Sequence, residues 1–202
     1  PYFKRLETFA GGEGGYRGDR GPVHVQPGQW RNPLYDVFVR AAVEAGHPAS
    51  PDLNGAQPEG FGRLDMTVHG GRRVNTADAY LRPARGRPNL HVRHSTEVAR
   101  LILEGRRCVG VELVRGGGTE RVIADREVVL AAGAIGSPHL LLRSGIGDAD
   151  AIRAAGVAPR HHLPGVGRNL QDHLEVFVQY ACKQPITLVA SSRWTRRPLI
   201  GA

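Results

Sequence analysis

The sequence carries little cysteine, almost no lysine and no long apolar run. Cys108 and Cys182 are its only cysteines. Their separation makes neither a CxxC pair nor a closely spaced framework, which fits reduced thiols in a cytosol rather than a secreted disulfide scaffold. Nothing approaches the roughly 18 consecutive apolar residues that cross a bilayer. No basic-then-apolar leader opens the chain. Several chemical motifs are also missing. There is no GxGxxG turn to cradle a dinucleotide pyrophosphate, no GxxxxGK[ST] loop, no GxSxG and no HExxH. The pair His161-His162 and the pair His91/His94 lack carboxylate or cysteine neighbours, so no metal site is expected.

What is present is the composition of a soluble globular protein: 202 residues, 41% hydrophobic and 23% charged. That excludes disorder, collagen and coiled coil as whole-chain architectures. The formal net charge of +8 comes from 25 arginines and two lysines. These are scattered, and no basic run is interleaved with stacking aromatics, so nucleic acid is not expected as a partner. Arg193, Arg196 and Arg197 are the local exception, with no acid to balance them. Glycine and proline, 27 and 14 residues, are about a fifth of the chain and predict many turns.

Residues 11–29 hold seven glycines and two prolines without a period and read as loop. A helix follows. Asn32 can cap it, Pro33 suits its first position, and Leu34, Val37, Phe38 and Ala41 share a face. Gly46 stands where a left-handed residue ends a helix. Residues 47–72 return to loop, so the first 72 residues are expected to supply one helix and little else.

The middle of the chain reads differently. His91–His94 suggests a short strand. Val98–Glu104, Cys108–Arg115 and Thr119–Ala124, separated by glycine turns at Gly105 and Gly116-Gly117-Gly118, predict an antiparallel meander. Glu127–Gly133 is a continuous apolar run ending in small residues, as in a strand buried on both faces of a parallel sheet. Helices are predicted from about Ser137 to Arg143 and from Asp148 to Ala155, the second closed by Gly156. A polar loop around Asn169 and a strand over Leu174–Cys182 complete the reading. The fold class is α/β.

At Gly133-Ala134-Ile135-Gly136-Ser137-Pro138 the small residues could let a ligand approach the backbone at a helix N-terminus, or could serve only a tight turn. Two longer stretches are more specific. Ser137-Pro138-His139-Leu140-Leu141-Leu142-Arg143-Ser144-Gly145-Ile146-Gly147, followed by Gly165-Val166-Gly167-Arg168-Asn169-Leu170-Gln171-Asp172-His173, resembles the glucose–methanol–choline (GMC) family of flavin oxidoreductases. Gly60-Phe61-Gly62, Arg73 to Leu81 and Arg87-Pro88-Asn89-Leu90 extend the resemblance over nearly the whole chain. Asp52-Leu53-Asn54-Gly55, Glu59 to Gly62, and His173 through Pro185 are most similar to the choline-oxidising members.

The resemblance implies a FAD-binding, Rossmann-like α/β segment with an inserted β-meander, joined to parts of a substrate-binding domain. Residues 1–72 would be a loop-rich segment with one helix, on the substrate-domain or linker side. Residues 73–164 would be part of the FAD-binding domain, and residues 165–202 the start of the substrate-binding domain. The reaction implied is hydride transfer from an alcohol carbon to FAD, with choline oxidised to betaine aldehyde. The histidine and the glycine fingerprint that such enzymes use have no counterpart here, so no catalytic residue is assigned and the chain is expected to be a central piece of a longer enzyme.

The resemblance also assigns residues. Val98, Ala132, Gly133, Ala134 and Asn75 would touch the cofactor. Glu175 would face the substrate's quaternary ammonium, with a solvated strand glutamate as the competing reading. Asn169, Asp172 and His173 would line the cavity or hold their own loop through Asx-type hydrogen bonds. The partners implied are a small alcohol and an electron acceptor whose identity, like the oligomeric state, is left open. The location implied is a bacterial cytoplasm, with membrane association left open. Two other functions stay in view: a family alcohol dehydrogenase acting on an uncharged primary alcohol, and a non-catalytic truncated remnant.

Overall fold

A computed structural model of the 202-residue chain describes residues 1–187 except Glu13 and Trp30. The described residues form two compact units, one of Pro1–Leu90 with Val178–Thr187, the other of His91–Phe177.

The first unit opens with helix α1 (Tyr2–Leu6) and strand β1 (Glu7–Phe9), followed by β2 (Val23–Pro27), helix α2 (Pro33–Glu44) and β3 (Asp65–Met66). β1 runs parallel to β2, and β2 pairs antiparallel with β3. This three-stranded sheet corrects the expectation that residues 11–29 are all loop. β4 (Val68–His69) and β5 (Arg72–Arg73) form a hairpin across Gly70-Gly71, both at positive φ. The expected loop over residues 47–72 thus contains short strands as well. A π-helical turn (Ala77–Leu81) and α3 (Arg82–Ala84) close the unit.

The sheet is tied together by charge rather than by apolar area. Arg17 is only 5% exposed and lies over the Phe9 ring at 3.7 Å. Its Nη1 donates to Asp52 Oδ1 at 2.9 Å and to Asp65 Oδ2 at 2.7 Å, and its Nη2 donates to Glu7 Oε2 at 3.2 Å. One guanidinium therefore joins β1, β3 and the Asp52 loop. A buried cation without such partners would be strongly destabilising.

Helix α2 begins and ends where its punctuation predicts. Asn32 Oδ1 accepts from Leu34 N at 2.9 Å, Pro33 is the first helical residue, and Gly46 has φ +88°. Its expected apolar face is not covered, however. Val37 and Phe38 are exposed and only Ala42 is buried. Phe38 meets Phe61 edge-on at 5.4 Å, which is its one aromatic contact among the described residues.

The second unit is built on the expected meander, β6 (Glu97–Glu104), β7 (Arg107–Arg115) and β8 (Gly118–Ile123). Two-residue turns join the strands. Gly116 and Gly117 have φ +56° and +82°, the pattern that matches the right-handed twist of a hairpin. Helix α4 (Gly133–Arg143) packs on β6, and β9 (Ile146–Gly147), α5 (Ala149–Ala154) and β10 (His161–His162) follow. Asp148 caps α5 by accepting from Asp150 N and Ala151 N.

The buried aliphatic side chains of this unit are Leu101, Leu113, Leu140 and Ile152. At about 1.5–3 kcal/mol each they make a small core, so specific links matter. The buried Ser144 hydroxyl is one: it accepts from Leu101 N at 2.8 Å and donates to Leu140 O at 2.6 Å, joining β6 to the end of α4.

Three expected strands are not formed. Residues 127–132 are extended but pair with no strand among the described residues, and Val129 is 76% exposed. Residues 91–94 and 174–182 likewise carry no ladder, and Leu174, Phe177 and Tyr180 are exposed. The cause is the same each time. A strand exists only where a neighbour accepts its backbone groups, and no described segment hydrogen-bonds to these as a partner strand. Helix α4 also starts four residues earlier than expected, at Gly133. No helix among the described residues is long and apolar enough to cross a membrane.

Candidate functional site

Two grooves flank the first turns of α4. One, of about 580 Å³, runs between β6, the extended residues 128–132 and α4, and is lined by Val98, Val111, Leu130, Ala132, Gly136 and His139 among others. The second, of about 680 Å³, lies between Ala134, Ile135 and Pro138 on α4 and the loop Gly167–Gln171. His139 lines both. Each volume falls in the range of small-molecule sites.

Local sequence explains the shape. The small residues at the start of α4 leave the backbone bare. Gly133 has φ +83°, and a Cβ on Gly136 would stand 3.0 Å from the Ala132 Cβ. Ser137 Oγ accepts from Ala132 N at 3.0 Å, which satisfies one donor at the helix start. The remaining backbone donors of the first turn have no intrahelical acceptor. Alongside them, the N–H and C=O groups of residues 127–131 have no partner among the described residues. The first groove therefore combines largely apolar walls with a strip of backbone polar groups unpaired among the described residues.

The candidate residues separate clearly. Val98 and Ala132 both line the first groove, and Ala134 and Asn169 both line the second. Gly133 lies between them in sequence and is exposed. Asn169 adopts φ +55°, a left-handed conformation that asparagine tolerates. Asp172 and His173 are almost fully exposed, and Asp172 Oδ1 accepts from His173 N at 2.8 Å, a local loop contact. Glu175 is exposed in the unpaired segment. Asn75, in the other compact unit, accepts from Asp78 N at 3.0 Å and so caps the π-helical turn.

His139 joins the candidate residues here, and Gly136, part of the small-residue stretch, shares its groove. Both lie in the quoted block around Ser137, and a helix starting at Gly133 rather than Ser137 would have put them on one wall.

The profile described as GMC oxidoreductase matches residues 1–175. The chain belongs to the GMC oxidoreductase family. Within the family it is 49% identical over 201 residues to the mitochondrial choline dehydrogenase of Mus musculus, covering 100% of this chain and 34% of that protein. It is 49% identical to the oxygen-dependent choline dehydrogenase of Staphylococcus xylosus over 203 residues, 100% of this chain and 36% of that one. The GMC chain thus spans about a third of the length of the curated relatives it matches.

Among solved structures it is similar to pyridoxine 4-oxidase from Mesorbium loti, at 37% identity and TM-score 0.76 over 81% of this chain and 32% of that one. A FAD-dependent oxidoreductase from Chaetomium thermophilum follows at 29% identity and TM-score 0.75, over 82% of this chain and 31% of that one. The mixed α/β architecture with its antiparallel meander is the architecture of these neighbours.

Proposed function

We propose that this chain is the part of a FAD-dependent alcohol oxidoreductase that receives the adenosine end of the cofactor, and that the substrate is choline, oxidised to betaine aldehyde. The observation that carries the substrate is the 47–49% identity to choline dehydrogenases along the whole chain. The groove between Val98 and Ala132 supports the cofactor assignment, because apolar walls and unpaired backbone groups suit the faces and edges of a purine.

In this reading Val98 contacts the adenine end through its backbone, and Ala132, Gly133 and Ala134 flank the adenosine. Bound FAD supplies the hydride acceptor for the alcohol carbon. Asn75 holds the turn that approaches the cofactor, and Asn169 with its neighbours shapes the second groove. Proton transfer is assigned to no residue of this chain. An electron acceptor is needed to complete turnover.

Glu175 is proposed to attract the quaternary ammonium. A trimethylammonium has no N–H to donate, so only charge and aromatic faces recognise it. Removing the carboxylate should then weaken choline without affecting an uncharged alcohol of similar size.

Purified natural gene product containing this chain should show flavin absorbance that choline bleaches anaerobically, faster than an uncharged primary alcohol does. Glu175→Gln should raise the KM for choline roughly ten-fold, about 1.4 kcal/mol of binding, and leave the uncharged alcohol unchanged. Equal effects on both substrates reject the ammonium role. Faster reduction by the uncharged alcohol favours the second reading, which the 37% identity to pyridoxine 4-oxidase supports. Absence of flavin favours a remnant. The 202-residue chain alone, with its groove open, is expected neither to retain FAD nor to oxidise alcohol, and stoichiometric copurifying flavin would overturn that expectation.

A further inference from the structure

Between the meander and the end of α4 lies a smaller pocket of about 270 Å³ whose charged lining is four arginines and one glutamate. Arg100, Glu112 and Arg121 are cross-strand neighbours on β6, β7 and β8, so one face of the sheet presents an Arg-Glu-Arg row. Arg143, the last residue of α4, and Arg160 complete the charged part of the lining, beside aliphatic side chains of β6 and residues 157–158. Glu112 bridges its two neighbours, at 2.9 Å from Arg100 Nη2 and 3.7 Å from Arg121 Nε. Arg143 pairs with Glu97 at 2.9 Å. Arg160 has no ion-pair partner among the described residues. Four guanidiniums therefore face two carboxylates, leaving two positive charges in excess around a concave space.

The walls are pinned independently of any ligand. Ser144 ties β6 to α4. Gly145 has φ +85°, and a Cβ there would lie 2.5 Å from Ala158 O and 2.8 Å from the Arg160 Cγ. Only glycine lets residues 158–160 approach so closely, and Arg160 N donates to Gly145 O at 2.8 Å. The Arg160 stem is thus fixed against the helix end. The Arg100 hydrogen bond, opposed by some burial, holds the Glu112 carboxyl below the usual carboxylate range, so the row stays ionised at neutral pH.

We propose that this pocket is a binding site for a small multiply charged oxyanion of the phosphate type, held by Arg160 and Arg121 with Arg100 and Arg143 beside them. Guanidinium forks match phosphate oxygens in pairs, and the excess of two charges complements a dianion. The volume admits inorganic phosphate or the phosphate end of a small monoester. The site shares Arg143 with the first groove, whereas Arg100, Arg121 and Arg160 line neither cofactor groove, and it does not depend on the proposed oxidation.

Titration calorimetry of the natural gene product with inorganic phosphate and with glycerol 1-phosphate, at constant ionic strength set by potassium chloride, tests this. One saturable site is expected. Arg160→Gln should weaken it at least about ten-fold, and Arg121→Gln should weaken it in the same direction. Arg20→Gln, at a side chain 89% exposed in the other unit, should leave it unchanged. Tighter binding of the monoester identifies a phosphorylated metabolite as the ligand, and the reverse identifies free phosphate. No saturable binding, or equal loss in all three variants, overturns the proposal. If Arg160→Gln fails to fold, the comparison of Arg121→Gln with Arg20→Gln decides alone.

Discussion

Ser144→Ala isolates the link between the meander and α4. The hydroxyl holds two hydrogen bonds, and their losses differ. Leu140 O keeps a backbone partner, Ser144 N at 3.1 Å, so the acceptor is not stranded. Leu101 N has only the hydroxyl, and Leu101 is 7% exposed. The variant therefore leaves one buried donor unsatisfied, a cost of about 1–3 kcal/mol. Alanine's better helix propensity offsets this by at most about 0.5 kcal/mol at the end of α4. A net loss of about 2 kcal/mol lowers a urea midpoint by about 1 M for a slope near 2 kcal/mol/M. Amide hydrogen exchange reads the same event at one atom, where protection of the Leu101 amide should fall roughly 30-fold. Because β6 and α4 are also the walls that carry Val98 and Gly136, flavin affinity of the natural gene product should fall with them. Thr119→Ala, at an exposed position of β8, serves as the control. A midpoint within about 0.2 M of the parent together with unchanged Leu101 protection would refute the reasoning.

Arg17→Met should destabilise the first unit by about 3 kcal/mol in urea unfolding, because it strands Glu7, Asp52 and Asp65 together; this is the low end for a broken buried ion pair, since Asp52 is 30% exposed and screened. Asp148→Asn should flatten the acid end of the stability curve. The Asp148 carboxyl lies below its ordinary value near about 3.9, chiefly through the hydrogen bond from Ala151 N, with burial opposing and Asp150 N adding to it. A depressed folded-state pKa contributes stability that is present above the ordinary value and is lost as pH falls through the depressed one. Thermal midpoints of parent and Asn variant should therefore converge as pH drops below about 4, and parallel curves would count against the capping account.

The elements legible in the sequence are those with local punctuation. Asn32, Pro33 and Gly46 bound α2, Asp148 and Gly156 bound α5, and Gly105, Gly116 and Gly117 turn the meander. Each signal acts within a few residues and needs nothing distant. The sheet of β1, β2 and β3 is not legible in the sequence because no short segment announces it. Its strands are two to five residues long, and Arg17 draws its three acids from Glu7, Asp52 and Asp65, far apart in the chain. The opposite error occurred at residues 127–132 and 174–182. Their apolar pattern is real, but periodicity states what a segment needs to bury, and a ladder forms only when another strand is present to receive it.

The arginines show how the same limit applies to function. Along the sequence Arg100, Arg121, Arg143 and Arg160 are scattered and look like an ordinary solvated basic surface. Strand register alone puts Arg100 and Arg121 on either side of Glu112. The close approach allowed by Gly145 then brings Arg160 toward the end of α4. Part of the charge that composition reports as a chain-wide total is thereby gathered around one pocket. In the Val98 groove the balance differs: small and apolar residues supply most of the wall and expose backbone polar groups, with Glu97 and Arg143 at its margin as an ion pair. The two proposed ligands differ in chemistry, a multiply charged oxyanion in one and a flat heteroaromatic ring in the other, and because Arg143 is the one lining residue the two sites share, variants of Arg160 and Arg121 test the pocket without altering the groove.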